Sequence, residues 1–370
     1  MKALWSFNAM RPAHAIIDLA AIRHNYQVAK KTAPNARAIA IVKANGYGHG
    51  AIEVGKTLSP IADGFGVACI EEALELREAG VTNPMLLLEG IFEASEMPLV
   101  DKYRFSIAVA TQRQLNWLIE STIKQPIDVF LKVDSGMHRL GIEPADAAEA
   151  YAKLTACPKV KSIVLMTHYA RADEPDLPTT NDQLARFSKA IEGIDAPWSL
   201  SNSAGTLVHT SSHRQFIRPG IMLYGATPLG HTHMTDALLR PAMSLRSVVF
   251  SIRDLDIGES IDYAGRYVCD RPTRVGVVAM GYADGYPRHA VDGTPVSVDG
   301  HRSRIIGKVS MDMLTVDLTD LPHITEGAPV ELWGSDVKAN EVASHCDTIS
   351  YTLFTGVTRR VPLRYINRSD

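Results

Sequence analysis

The sequence has few cysteines and no long hydrophobic run. Cys69, Cys157, Cys269 and Cys346 are its four cysteines in 370 residues, and no two have the short spacing typical of a metal or redox motif. We therefore expect buried thiols in a reducing compartment, the cytoplasm, and no metal site. No run approaches the roughly 18 apolar residues of a membrane span. Residues 1–12 have no sustained apolar core, so we do not expect a secretory signal.

The sequence also lacks a strong excess of charge of either sign. It has 38 Lys and Arg against 41 Asp and Glu, a net charge of -3. A protein that binds nucleic acid or an anionic membrane usually carries a basic footprint, so we expect neither partner. The 46% hydrophobic and 21% charged content is typical of a soluble globular protein. A chain of this length favours two domains.

Short apolar runs alternate with helical segments through the first two thirds of the chain. A strand is expected at 15–19 and a helix at 20–32. Eight buried strands are then expected at 38–42, 65–68, 85–88, 105–109, 127–133, 163–167, 198–201 and 216–223. Alternating strands and helices pair in parallel, and eight such units close a barrel. The sequence therefore predicts an α/β fold with a (β/α)8 TIM-type barrel over residues 12–240.

After Pro241 the pattern changes to strands with few helices between them. Strands are expected at 245–252, 273–280, 304–309, 314–318 and 329–333, followed by a short helical region near 337–356. Turn signals such as Asp299-Gly300 separate the strands. We expect residues 241–370 to form a mainly antiparallel β domain; residues 1–11 joining it is an alternative.

Lys43 stands at the end of a buried strand. Residues 38–42 are apolar, and Asn45 and three glycines after Lys43 form a polar turn. A desolvated lysine amine loses proton affinity and becomes a Schiff-base nucleophile or a general base. The alternative is a lysine whose amine simply reaches solvent.

Several motifs resemble those of one family. They are VKANGYGHG (42–50), KVDSGMHRLG (132–141), THYARADE (167–174), SNSAG (201–205), IRPGIMLYG (217–225), SIDYAG (260–265), GYADGYPR (281–288), VSMDM (309–313) and ISY (349–351). The first is similar to the pyridoxal-phosphate (PLP) lysine motif of alanine racemases, with Gly46 where the family more often has alanine. The resemblance runs over nearly the whole chain and implies PLP as cofactor, bound to Lys43.

The loops after the seventh and eighth barrel strands are a common phosphate site. The backbone amides of Ser203, Gly220 and Ile221 suit that task, although two ordinary small-residue turns are an alternative. The resemblance implies that the cofactor phosphate is bound by this set: Tyr47, Asn202, Ser203, Gly220, Ile221 and Tyr351.

Arg218 and His168 are implied to lie beside the cofactor ring. A guanidinium only donates hydrogen bonds, so a ring nitrogen facing Arg218 must stay unprotonated. The alternatives are an arginine that pairs with a carboxylate and an ordinary polar histidine. The resemblance also implies that His168 supports the catalytic tyrosine, Tyr263.

The substrate carboxylate is implied to meet Arg139, a planar donor fork, and the amide of Met311. Lys132 matches a family lysine that is often carbamylated, which we treat as a hypothesis because a neutral amine or a bound anion would serve the same neighbours. Tyr282, Asp312 and Arg288 are implied to line the substrate channel. Tyr224 and Tyr286 are expected to be core aromatics.

These residues imply a two-base alanine racemase. Lys43 and Tyr263 would stand on opposite faces of the substrate α-carbon, with Ala264 in place of the family's usual glycine and Thr352 in place of its commoner glutamate. A head-to-tail homodimer with shared sites is also implied. A broad-spectrum amino-acid racemase is the main alternative. PLP-dependent basic amino-acid decarboxylases have a cysteine-containing acidic motif that we do not find in the second domain of this chain. Small PLP carrier proteins lack a second domain and hence a counterpart of Tyr263.

Overall fold

The computed structural model describes residues 11–230 and 233–368. The alternative that residues 1–11 join the β domain therefore falls, for residues 1–10, outside the described residues. Two compact units are present. The barrel unit is Ile22–Leu239, and the β unit contains the described residues up to Ala21 and from Arg240 onward. None of the described helices is both long and apolar enough to cross a membrane.

The strands, in chain order, are β1 (His14–Asp18), β2 (Arg37–Ile41), β3 (Gly64–Val67), β4 (Met85–Leu87), β5 (Ser106–Val109), β6 (Ile127–Lys132), β7 (Val160–Met166), β8 (Trp198–Ser199), β9 (Phe216–Ile217), β10 (Met243–Leu255), β11 (Ser260–Ile261), β12 (Tyr267–Val268), β13 (Thr273–Val278), β14 (Pro295–Val298), β15 (His301–Arg304), β16 (Leu314–Asp317), β17 (Pro329–Trp333) and β18 (Leu363–Ile366).

The helices are α1 (Leu19–Thr32), α2 (Lys43–Tyr47), α3 (Ala51–Leu58), α4 (Ile70–Glu78), α5 (Met97–Tyr103), α6 (Gln112–Glu120), α7 (Ala147–Ala156), α8 (Thr179–Ala190), α9 (Ser203–Val208), α10 (Ala339–His345) and α11 (Ser350–Gly356). Of these, α2 is a left-handed turn and not a regular α-helix.

Strands β2 to β9 form a closed parallel barrel. β2 pairs with β3 on one side and with β9 on the other, which closes the ring. β3 and β4 are buried along their whole length, as expected for parallel strands covered by helices. In β3 a Cβ at Gly66 would lie 2.7 Å from Ile41 Cδ1, so the Ile41 side chain packs closely over this glycine. The predicted (β/α)8 barrel is confirmed.

The last barrel strand is much shorter than the predicted 216–223. β9 ends at Ile217, and Pro219 has no N–H to donate to a strand partner. Gly220 has φ -118° and ψ -96°, and residues Ile221–Tyr224 then form a 3-10 turn. The apolar run was misread as strand because Pro219 and Gly220 redirect the backbone.

The β unit is a mainly antiparallel sheet, which confirms the second part of the predicted fold. Its order is β15-β14-β17-β10-β1-β18, and β13 joins β10 to β16. β1, which lies inside the expected barrel range of 12–240, pairs with β10 and β18 of this sheet. Its side chains alternate between half-buried and buried, the pattern of an antiparallel sheet with one covered face.

The strand predicted at 304–309 is not formed as such. β15 ends at Arg304, and Ile305 makes a single bridge to Val316. Gly307 has a φ of +83°, outside the strand region. Residues 299–300 instead form the predicted turn, between β14 and β15. α10 and α11 lie in the expected helical region.

Candidate active site

Lys43 lies just beyond the carboxyl end of β2, where the backbone enters a left-handed turn. Ala44, Asn45 and Gly46 have φ of 52°, 53° and 62°. This conformation costs a residue with a Cβ about 1–2 kcal/mol, whereas glycine at position 46 adopts it freely. The Lys43 side chain is half-buried. Backbone strain is therefore concentrated immediately after Lys43, as it often is at functional sites.

Side-chain acceptors hold this turn in place. Glu72 of α4 accepts hydrogen bonds from the N–H groups of Ala44, at 2.7 Å, and Ala68, at 2.8 Å. Asn45 accepts one from the N–H of Ala51 at 2.9 Å. Sequence reasoning missed Glu72, because a carboxylate whose partners are backbone amides leaves no motif. The strained turn is thus fastened to the next helices along the chain.

Backbone donors collect at the ends of β8 and β9. The N–H groups of Ser203, Ala204 and Ile221 meet no acceptor within the residues that the structure describes. The N–H of Gly220 donates to Ser203 Oγ at 2.8 Å, so it is already engaged. A Cβ at Gly220 would lie 2.7 Å from the Tyr47 hydroxyl oxygen. These groups form a cradle of donors that only glycine at position 220 keeps open.

Asn202 and Tyr47 are each held by neighbouring residues. The Asn202 side chain caps α9 by accepting a hydrogen bond from the Gly205 N–H at 2.9 Å. The Tyr47 ring stacks on Tyr224 with 4.9 Å between centroids, and burial raises the pKa of Tyr47. Tyr224 is fully buried and donates to the Ile41 carbonyl. It is the core aromatic that the sequence predicted.

Arg218 is a buried cation without a carboxylate partner among the described residues. Its Nη1 donates to the carbonyl and hydroxyl oxygens of Ser199, both at 2.7 Å, and its Nη2 donates to the Thr167 carbonyl at 2.7 Å. Burial lowers its pKa to about 10. Its Nε–H donates to none of the described residues. Arg218 therefore offers a fixed, unused donor and an uncompensated positive charge.

His168 follows β7 and lies against Arg218. Its Nδ1 is 3.4 Å from Arg218 Nη2, and because arginine only donates, Nδ1 is the acceptor. Burial, followed by the positive charges of Arg218, Lys132 and Arg139, holds the pKa of His168 well below its usual value. His168 is therefore neutral near neutral pH, with its proton on Nε2.

Lys132 and Arg139 share a cavity with Lys43. The cavity has a volume of about 460 Å³. Lys132 ends β6 and is only 8% exposed; burial and the nearby charges of Arg218 and Arg139 lower its pKa to about 8. Arg139 follows a loop in which one oxygen of Asp134 accepts three consecutive backbone N–H groups. The cavity is therefore lined by cations.

Other lining residues were not predicted. Glu89, Arg113 and Trp117 line the same cavity. The negative charge of Glu89 acts against the lowering of the Lys132 pKa and offsets part of it. Glu89 follows β4, and residues at the carboxyl ends of barrel strands are candidates for the active site. The strand-end rule that singled out Lys43 would have found Glu89 as well.

Tyr263 lies on the β unit and is 70% exposed. It begins a 3-10 turn between β11 and β12 in which Ala264 has φ +64° and ψ 17°. This is the left-handed conformation in which a glycine is preferred. Asp262, which has φ +62°, accepts a hydrogen bond from the Thr315 hydroxyl at 2.7 Å. The turn thus presents the Tyr263 side chain to solvent on a constrained backbone.

The other predicted residues of the β unit lie on loops and on α11. Met311, 53% exposed, and Asp312 precede β16. The Arg288 guanidinium lies 5.9 Å from the centroid of the Tyr282 ring. Tyr351 is half-buried on α11. The predicted residues therefore form one cluster on the barrel unit and a separate set on the β unit.

Tyr286, also expected to be structural, is buried and stacks on Trp333 with 5.9 Å between centroids. The four cysteines form no disulfide. No group of three or more His, Cys, Asp or Glu side chains in residues 11–230 and 233–368 has a metal-binding arrangement.

Two protein-family models match the chain. The alanine racemase N-terminal domain matches residues 17–228, and the alanine racemase C-terminal domain matches residues 242–365. The alanine racemase of Pseudomonas fluorescens is 52% identical over 356 residues, which cover 96% of this chain and 99% of the relative. A catabolic alanine racemase of Pseudomonas putida is also 52% identical, with the same coverage.

Solved structures give the same result. The biosynthetic alanine racemase from Pseudomonas aeruginosa has a TM-score of 0.94 at 47% identity, covering 97% of this chain and 100% of that one. The alanine racemase from Bartonella henselae, solved with covalently bound pyridoxal phosphate, has a TM-score of 0.87 at 28% identity, covering 96% and 99%. With both domains matched and half of the residues identical to those of full-length relatives, this chain belongs to the alanine racemase family.

Proposed function

We propose that this protein interconverts L-alanine and D-alanine with PLP bound at the carboxyl ends of the barrel strands. The observation that carries the proposal is the presence of both Lys43 and Arg218 in the barrel-unit cluster. Lys43 borders a cavity at the end of β2, and Arg218 is a buried cation held, among the described residues, by neutral acceptors alone. The relatives named above, with about half of their residues identical, support alanine as the substrate.

The residues present fit PLP. The unsatisfied N–H groups of Ser203 and Ile221, beside Tyr47 and the open space at Gly220, suit a phosphate. Asn202 keeps the first turn of α9 in place. The spare Nε–H of Arg218 suits a ring nitrogen that accepts a hydrogen bond. Lys43 would carry the cofactor covalently, and Tyr351 is proposed as a further phosphate ligand.

PLP supplies an electron-withdrawing group that makes the α-proton of a bound amino acid more acidic. The chain must then move that proton between two faces. We propose the Lys43 amine as the base on one face and the Tyr263 hydroxyl as the base on the other, because a single base tends to return the proton to the same side. Arg139 and the Met311 amide would hold the substrate carboxylate.

A tyrosine is a weak base near neutral pH unless its phenolate is stabilised. His168 is suited to that role because its Nε2–H is a donor and its Nδ1 is turned towards Arg218. We propose that His168 donates to the oxygen of Tyr263 and thereby lowers the cost of deprotonation. Replacing His168 with Leu should raise the pKa of Tyr263, so that in the direction in which Tyr263 removes the proton the acidic limb of the kcat profile moves to higher pH. An unchanged profile would argue against this role.

We propose that Tyr263 reaches the barrel of a second copy in a head-to-tail homodimer. Its high exposure, together with that of Met311, Met313 and Ile349 on the same unit, supports this arrangement. An inactive Lys43→Ala chain mixed with an inactive Tyr263→Phe chain should regain activity, because one of the two sites would be intact. No recovery after verified subunit exchange would contradict shared sites. Tyr282, Asp312 and Arg288 would line the substrate channel.

Lys132 is proposed to be carbamylated. A pKa of about 8 leaves a useful fraction of neutral amine, the form that reacts with carbon dioxide, and the product is an anion suited to Arg139. Carbon-13 spectra of protein supplied with labelled bicarbonate should contain a carbamate signal that is lost in Lys132→Met. A cytoplasmic location belongs to the same proposal and is supported by the unpaired cysteines.

The decisive experiment is an absorbance spectrum of the purified protein, followed by circular dichroism of L-alanine incubated with it. A visible band and loss of optical activity are expected, with neither in Lys43→Ala. L-serine, L-lysine and L-arginine are tested in parallel, because racemisation of these would favour the broad-spectrum alternative. A band without racemisation of alanine would contradict the proposal.

A further inference from the structure

The β unit contains a buried carboxylate that the reaction does not use. Asp284 is fully buried, yet three groups converge on it. Arg11 forms a two-pronged pair with its carboxylate at 2.5 and 2.8 Å, Arg360 lies 3.5 Å away, and the N–H of Gly281 donates to it at 2.9 Å. A buried charge is retained only when it is well paired.

The two arginines also hold the loop that carries Met311. Arg11 Nη2 donates to the backbone carbonyl of Asp312 at 2.7 Å, and Arg360 donates to the Asp312 carboxylate at 2.6 Å. Asp284 therefore holds Arg11 and Arg360 in place, and both arginines donate hydrogen bonds to Asp312 in the neighbouring loop. We call Arg11, Asp284 and Arg360 the arginine clamp.

Backbone N–H groups of the turn that contains Asp284 also donate hydrogen bonds to the same loop. The N–H of Tyr282 donates to the Ser310 carbonyl and the N–H of Ala283 donates to the Met311 carbonyl, both at 3.0 Å. With the Arg11 bond to Asp312, three consecutive carbonyl oxygens of the loop are held. A Cβ at Gly281 would lie 2.4 Å from the carbonyl oxygens of both Ser310 and Met311, so the contact is close.

Fixing the carbonyls fixes the N–H groups of the same peptide planes. The peptide unit is planar and trans, so the Met311 N–H points opposite to the Ser310 carbonyl. That N–H donates to no acceptor in the described part of the chain. The loop thus carries a free amide donor whose direction is set by the arginine clamp and the adjoining turn.

We propose that the arginine clamp positions the Met311 N–H to bind the substrate carboxylate, with Asp284 and Arg11 as positioning residues for substrate binding. The inference rests on the proposed function, in which that amide holds the carboxylate of alanine. An amide held in advance binds an anion without the cost of ordering the loop. The contact is made to a group that does not change during the reaction, so it should affect KM more than kcat.

The test compares Arg11→Gln and Asp284→Asn with the control Arg271→Gln. Arg271 forms the same two-pronged pair with Asp320, at 3.1 and 2.8 Å, on the surface of the same unit. In the clamp variants we expect the KM for alanine to rise about ten-fold with kcat within about two-fold. The control should leave both constants unchanged.

A second ligand separates carboxylate binding from general damage. Isopropylamine is alanine with a methyl group in place of the carboxylate, so its inhibition constant should be the same in wild type and in Arg11→Gln. A rise in that constant parallel to the rise in KM, or an unchanged KM, would overturn the proposal. If Asp284→Asn does not fold, Arg11→Lys replaces it. One donor group in place of the two-pronged contact should give an intermediate KM, and a wild-type KM would count against the clamp.

Hydrogen exchange tests the clamp without any activity. The Gly281 amide donates to Asp284, and the Tyr282 and Ala283 amides donate to the loop that the clamp holds. These three amides should exchange about ten-fold faster in Arg11→Gln than in wild type or Arg271→Gln. Unchanged exchange would refute the clamp even in an active enzyme. Faster exchange in a protein that does not racemise alanine would instead place the failure in the proposed function.

Discussion

Replacing Lys132 with methionine should stabilise the cofactor-free protein near neutral pH. Burial lowers the pKa of Lys132 from its ordinary 10.5 to about 8, so the charged amine is disfavoured in the folded state. Each pKa unit corresponds to 1.36 kcal/mol, which gives about 3 kcal/mol as the largest gain from removing the charge. For a domain of this size that is a rise in Tm on the order of 6 °C.

The pH dependence has a definite sign. Between about pH 8 and 10.5 the unfolded chain keeps the Lys132 proton and the folded protein loses it, so wild-type stability rises with pH across this window. Below pH 8 the full cost is present. Lys132→Met should lack the rise, so its advantage over wild type should be largest below about pH 8 and should shrink across the window. Thermal unfolding in bicarbonate-free buffer over this pH range measures both effects.

Lys161→Met is the control, because the Lys161 side chain is 64% exposed and its replacement should change the free energy of unfolding by less than about 0.5 kcal/mol. Adding bicarbonate should stabilise wild type and leave Lys132→Met unaffected, because carbamylation converts the buried cation into an anion. A wild type that shows no rise above pH 8, with Lys132→Met less stable than wild type in bicarbonate-free buffer, would refute the reasoning that Lys132 is a desolvated cation.

Two further substitutions test backbone geometry. Ala264→Gly should stabilise the protein by about 0.5–1 kcal/mol, because the left-handed backbone costs alanine more than glycine loses in conformational freedom on folding. The control Ala152→Gly, in α7, should destabilise the protein by about 1 kcal/mol. Thermal unfolding that gives the same sign for both changes would contradict this. Gly220→Ala should weaken PLP binding about ten-fold, because its Cβ would lie 2.7 Å from the Tyr47 hydroxyl. A fluorescence titration measures that affinity, and an unchanged value would show that the cradle adapts.

The barrel was predictable because its strands are buried on both faces. Such strands appear in the sequence as continuous apolar runs separated by helical segments. The same property misled the prediction at 216–223, where an apolar run continues past Pro219 into a 3-10 turn. The left-handed turn after Lys43 was beyond prediction, because alanine seldom adopts positive φ; Ala44 does so here, and its N–H donates to Glu72.

The positions of candidate site residues were predictable where these residues stand at the carboxyl ends of barrel strands. Lys43 and His168 follow β2 and β7, and Glu89 after β4 was overlooked although it satisfies the same rule. Lys132, the last residue of β6, was predicted from the family resemblance. Asp284 could not be found from the sequence. Its partner Arg11 is 273 residues away, and nothing local marks either residue as one half of a pair.

Charge gives the barrel-unit cluster its chemical preference. Lys43, Lys132 and Arg139 line one cavity, and Glu89 is the only acid among the described lining residues. Within residues 11–230 and 233–368, the nearby Arg218 donates to neutral acceptors alone. Cations crowded together away from water are desolvated and repel one another, and burial, followed by the charges of Arg218 and Arg139, lowers the pKa of Lys132. An anion entering the cluster removes part of the cost, so binding and stability are coupled. The phosphate of PLP and the carboxylate of alanine are both anions, and the charges that destabilise the empty cluster therefore favour these ligands.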